Sequence, residues 1–141
     1  MFKTPLVLEN IPYHPQEMMV YKPLRYCNLK LDIIVLPGFI TDGASVPKLL
    51  QNIYPPFSGR YIEAAVLHDA LYMSESLSRL QADKLFLEAM ETLGVSWWKR
   101  MTMYYAVRAA GWYVWRKHKP KDVSFAKDFI SIIEKDNYEN N

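Results

Sequence analysis

A histidine and an aspartate stand side by side, as His68-Asp69, within a stretch from Arg60 to Met73 that is rich in Ala and Leu and free of Pro and Gly. Such a stretch predicts a helix. With about 3.6 residues per turn, Tyr61, Ala65, His68 and Tyr72 fall on one stripe, with Asp69 on its shoulder. An unpaired buried charge is very costly, so this pair needs partners from elsewhere in the fold. The next helical pattern, Arg79 to Leu93, follows a Ser-rich break and carries Asp83. Folded back as a helical hairpin, the two patterns put His68 and Asp83 at matching depths, facing each other. An imidazole held by one carboxylate with another beside it is a general-base arrangement. A polar cluster that only ties the helices together is the structural alternative, and these residues alone leave both open.

The chain of 141 residues predicts one domain over 1–141, with strands and loops in 1–57 and helices in 58–141. Cys27 is the single cysteine, which excludes an intramolecular disulfide framework and fits a reducing compartment. The net charge of +2 is too small to imply nucleic acid. Met1-Phe2-Lys3-Thr4-Pro5 lacks the apolar run of a secretory signal, and no apolar stretch of about 18 residues predicts a membrane span.

Along the chain, Pro5, Pro12, Pro15 and Pro23 interrupt regular structure, leaving short extended pieces at Leu6 to Leu8 and Glu17 to Tyr21. His14 reads as a loop residue. Leu29 to Leu36 alternates, with Leu29, Leu31, Ile33 and Val35 on one face of a strand. Cys27-Asn28 turns it back onto Tyr21 to Tyr26. Pro37-Gly38 then opens a loop with Thr41, Asp42 and Ser45. Ser45 either caps a short helix over Val46 to Asn52, or the loop brings Asp42 to the His-Asp helix as a ligand or substrate contact. Ser58 is the expected N-cap of the central helix, and Ser78-Arg79-Leu80-Gln81 is a capping box for the next. A third helix, Ser96 to about His118, is crowded with Trp and Tyr. It reads either as a core helix or as a membrane-surface helix whose cations Lys99, Arg100 and Arg108, with the basic cluster Arg116, Lys117, Lys119 and Lys121, snorkel. After Pro120, the spacing of Phe125, Phe129, Ile132 and Ile133 predicts a last amphipathic helix. The class is α+β: a small N-terminal antiparallel hairpin or sheet, then a helical hairpin and a long aromatic third helix.

Two motifs, Pro37-Gly38-Phe39-Ile40-Thr41-Asp42-Gly43-Ala44-Ser45-Val46-Pro47 and Ala64-Ala65-Val66-Leu67-His68-Asp69-Ala70-Leu71-Tyr72, followed by Arg79, Ala82-Asp83 and Phe86, resemble the phage- and prophage-associated domain-of-unknown-function family 1353. The resemblance covers about residues 20 to 112. It implies a phage or prophage gene product, made in the host cytoplasm, with virion proteins or a host envelope component as partners and no established activity. It adds weight to Thr41, Asp42, Ser45 and Arg79 as members of a polar centre. His68-Asp69-x-x-Tyr72 with a carboxylate on the following helix is also similar, more distantly, to the phospholipase A2 superfamily. That similarity implies His68 as general base, Asp83 and Tyr72 as its orienting pair, and Asp69 as a calcium ligand. In a hydrolase reading of the residues, Asp69 with Asp42 binds substrate or a divalent cation, calcium or zinc. The glycine-rich calcium loop of that superfamily has no counterpart in Tyr54-Pro55-Pro56-Phe57-Ser58-Gly59. Two expectations follow: a non-enzymatic phage protein, or a small hydrolase of envelope lipid or peptidoglycan.

Overall fold

The computed structural model describes residues 1–42 and 60–135. They form β1 (Leu8–Asn10), β2 (Met18–Val20), β3 (Leu24–Cys27), β4 (Leu31–Val35), β5 (Ile40–Thr41), α1 (Ile62–Ser74), α2 (Arg79–Thr92), α3 (Trp97–Arg116), α4 (Pro120–Lys127) and β6 (Ile130–Glu134). Among the described residues there are two antiparallel three-stranded sheets, ordered β1-β2-β5 and β3-β4-β6, and four helices. This is the expected α+β class.

The β3–β4 hairpin forms where the alternation predicts it, in the register Leu24↔Val35 to Cys27↔Asp32. Asn28 builds its turn: the side-chain oxygen accepts from the backbone N–H groups of Lys30 and Leu31, each at 2.8 Å. Ile33 and Val35 are fully buried, while Leu29 belongs to the turn and is exposed. Tyr26 then reaches from β3 to α2, its hydroxyl donating to Glu88 Oε1 at 2.5 Å. This anchors the hairpin against α2, the helix that carries Asp83.

Pro37-Gly38 carries the chain from one sheet to the other. Gly38 has φ +99°, and a Cβ there would stand 2.8 Å from a ring carbon of Phe129. Its N–H donates to the Val20 carbonyl at 2.9 Å, so the turn delivers β5 onto β2 with Met18 opposite Thr41. A left-handed backbone costs a side-chain-bearing residue about 1–3 kcal/mol. Gly38→Val is therefore expected to lower unfolding stability by at least that amount in urea titration. An unchanged midpoint would mean that the turn relaxes without strain.

One expected helix is partly a strand. Helix α4 stops at Lys127, and Ile130 to Glu134 pairs antiparallel with β4, from Leu31↔Glu134 to Val35↔Ile130. Phe125, Phe129, Ile132 and Ile133 do have helical spacing. The β-branched Ile-Ser-Ile-Ile run is also a good edge strand, and β4 offers it a free row of backbone partners. That partner lies about a hundred residues away in sequence, so local spacing had no access to it.

Helix α1 is the centre of the molecule, packing on α2, α4, β5 and β6. Ala64, Ala65, Val66, Leu67, Ala70 and Leu71 are all buried, which suits a helix covered on most sides. Tyr61 stands at its N-cap position; Ser58, the expected cap, lies outside the described residues. Helix α2 begins with the predicted capping box: Ser78 Oγ accepts from Gln81 N–H at 3.2 Å, and Gln81 Oε1 accepts from Ser78 N–H at 3.0 Å. Ala82, Phe86, Ala89 and Met90 seal it into the core.

Helix α3 packs on α2, but only along one side. Met103 and Gly111 are its buried residues, whereas Trp97, Trp98, Tyr105, Trp112 and Tyr113 are exposed. The core-helix expectation therefore holds for one face, because no described element covers the other. No helix among the described residues is long and apolar enough to cross a membrane.

Candidate functional site

The hairpin α1–α2 brings His68 and Asp83 together: Nε2 of His68 lies 2.8 Å from Oδ1 of Asp83. One turn further along α1, the Tyr72 hydroxyl donates to the same oxygen at 2.6 Å. Arg108, from α3, donates to Oδ2 at 2.7 Å. Arg79 Nη1 stands 3.5 Å from Oδ2 and donates to the carbonyls of Val107 and Arg108, each at 3.2 Å. A fully buried carboxylate is thus met by three helices at once.

Burial by itself would push the Asp83 carboxyl up, but hydrogen bonds from His68, Tyr72 and Arg108 outweigh it and hold the pKa below the usual carboxylate range. An ionised carboxylate only accepts, so His68 Nε2 carries the proton of this bond and Nδ1 keeps its lone pair. Burial lowers the His68 pKa despite the opposing pull of Asp83, which keeps the imidazole neutral. Arg108 allows this arrangement, because it neutralises Asp83 without requiring a charged histidine. The ring is clamped by Tyr72 and Phe86, with centroids 4.2 and 4.6 Å away.

Asp69 turns to the end of β5. Its carboxylate accepts from the Thr41 hydroxyl and from the backbone N–H of Asp42. Burial first, and the nearby Asp42 carboxylate second, push its pKa up to about 7 against those hydrogen bonds. A group raised in this way stabilises the fold below its unfolded pKa of 3.8, and that contribution is lost as pH rises through about 7. Asp69→Asn, which imitates the protonated carboxyl, is expected to melt close to wild type at about pH 4 and several degrees above it at about pH 8. A gap that stays constant over this range would show that Asp69 titrates like an ordinary surface carboxylate.

Beside this network, but without Asp83, Arg79 or Arg108 in its lining, lies a cavity of about 210 Å³. His68, Asp69 and Tyr72 meet Thr41 and Asp42 there, and α3 adds the apolar Met103, Ala106, Val107, Ala110 and Val114. Gly111 lets α3 approach this closely, since a Cβ there would collide with the Tyr72 hydroxyl.

The structure thus joins His68, Asp83, Tyr72 and Arg79 in one network and places Asp69, Thr41 and Asp42 beside it. Ser45 lies outside the described residues. His14 is a surface residue, 3.7 Å from Glu17. Arg108 was not singled out by the sequence, in which it is one more cation on an aromatic helix. The signal available was indirect: a buried Asp83 next to a neutral histidine needs a positive charge. As a cation site, the pair Asp42–Asp69 is poor in donors: among the described residues no group of three or more His, Cys, Asp or Glu could hold a metal. Two carboxylates by themselves are fewer than the six to eight oxygens that calcium takes or the three to four protein ligands of zinc.

The profile of a family described as "Protein of unknown function (DUF1353)" matches residues 18–107, and the chain belongs to that family. Two curated relatives come from Sinorhizobium fredii (strain NBRC 101917 / NGR234). "Uncharacterized protein y4jT" is 40% identical over 77 residues, 52% of this chain and 22% of the relative. "Uncharacterized protein y4iH" is 36% identical over 72 residues, 50% of this chain and 30% of the relative. The matches therefore span less than a third of either relative's length. No solved structure matches the chain.

Proposed function

We propose that this member of the DUF1353 family is a hydrolase in which His68 is the general base. The observation that carries the reading is a neutral imidazole, held at Nε2 by Asp83 and lining an apolar cavity of about 210 Å³. Nδ1 takes a proton from water as the water oxygen attacks the carbonyl carbon of an ester or amide. The same proton then passes to the leaving oxygen or nitrogen as its bond to that carbon breaks. Asp83 and Tyr72 fix the ring, and Arg108 keeps Asp83 ionised. Thr41, Asp42 and Asp69 face the polar end of the substrate, and the α3 residues Met103 to Val114 take its apolar part. That lining favours acylated envelope lipid over peptidoglycan. No step is routed through a cation.

A second reading has its own support: Asp83 bonds residues of α1, α2 and α3, which is what a tie between helices requires. In that reading the centre is structural, in a virion-associated or host-interacting protein. Hydrolysis assays on phospholipid and peptidoglycan, run with wild type and His68→Asn, separate the two. Turnover that disappears in a folded His68→Asn variant supports the base. An inactive wild type, with a variant that melts early, leaves the tie.

A further inference from the structure

The exposed face of α3 fits an anionic lipid surface. Trp98, Tyr105 and Trp112 recur every seventh residue, which aligns them along about 21 Å of one helix face. They are 56%, 63% and 49% exposed, more than scattered surface apolar residues require. Their rings have polar tips and flat apolar bodies, the chemistry that places Trp and Tyr at a membrane–water boundary.

The charges around them identify the occupant. From Trp97 to Lys121 the chain has seven Lys and Arg and no Asp or Glu. Arg108 is committed to Asp83, and Arg100 donates to the Val95 carbonyl. Lys99, Arg116, Lys117, Lys119 and Lys121 remain exposed. Three stand over rings of this helix: Lys99 over Trp98 at 5.5 Å, Arg116 over Trp112 at 5.7 Å and Lys117 over Tyr113 at 3.9 Å. A second copy docked face to face would set cation against cation with no carboxylate on α3 to pair them. A bilayer of anionic headgroups meets both halves of the pattern, taking the rings into its boundary and the cations onto its phosphates.

We propose that α3 docks this protein on anionic membranes through Trp98, Tyr105 and Trp112, flanked by Lys99, Arg116 and Lys117, lying on the surface without crossing it. The test is co-sedimentation with vesicles of phosphatidylcholine alone or mixed with phosphatidylglycerol, at about 0.1 M salt. It contains no turnover step, so it succeeds or fails independently of the hydrolase reading. The full chain is expected to bind the mixed vesicles, with a blue shift of tryptophan emission, and to leave the neutral ones. Trp98→Ala with Trp112→Ala, or Lys99→Glu with Arg116→Glu, should each weaken binding about tenfold or more, while Tyr13→Ala, an exposed ring between β1 and β2, should not. All these side chains are exposed, so the variants are expected to keep the wild-type melting temperature. Absence of binding to the mixed vesicles overturns the proposal, as does binding that survives both double variants. A dimer in sedimentation velocity that the same substitutions dissociate would reassign the face to a second copy.

Discussion

Asp83→Ala is expected to destabilise the protein by about 3–5 kcal/mol, the cost typical of removing one partner from a buried ion pair. Four groups converge on that carboxylate: His68, Tyr72, Arg108 and, more distantly, Arg79. Without it, two guanidinium groups lose their counter-charge, and a hydroxyl and a ring N–H lose their acceptor. Replacement by Asn keeps the shape and one acceptor, so Asp83→Asn should fall between Ala and wild type. Urea titration followed by circular dichroism measures both. A loss below about 1 kcal/mol for Asp83→Ala, the scale of an exposed salt bridge, would show that water reaches the network and replaces the missing bonds.

His68→Asn should reduce turnover by about 10²–10⁴-fold, the usual contribution of a positioned general base. The same substitution also removes the Nε2 bond to Asp83, so the melting temperature should fall in either reading, limited by the bonds that Asp83 keeps to Tyr72 and Arg108. The pH dependence gives an independent check. A base must be neutral to accept a proton, and burial places the His68 pKa below its ordinary 6.5. The fall in kcat/KM that His68 causes should therefore lie in more acid solution, below any step that Asp69 adds at about pH 7. In Asp69→Asn, a profile still falling at about pH 7 would mean that a group other than His68 sets the rate. If His68 serves only as a tie, its loss costs that stability, about 1–3 kcal/mol, and the wild type shows no turnover to lose.

The hairpin carrying His68 and Asp83 was legible because each half is a local pattern. The capping box at Ser78 fixes where α2 begins, and the unbroken Ala- and Leu-rich run fixes α1. With both helices in register, the depth of each polar residue follows from the rise per residue. The β3–β4 hairpin was legible for a similar reason: alternation is a local signal, and Asn28 marks its turn. The strand β6 was not, since a five-residue segment with three isoleucines reads equally well as the end of a helix until a partner is present.

The sequence by itself determined the α+β class, the helical hairpin and the identity of most of the polar centre, because these depend on periods and caps that act over a few residues. Tertiary structure decided the rest. It chose Arg108 over the neighbouring cations as the counter-charge of Asp83. It turned Asp69 toward Thr41 and Asp42 rather than toward His68's other partners, and it left the aromatic side of α3 in the open. Charge compensation and burial depend on which surfaces meet across long sequence separations, and no local pattern encodes that distance.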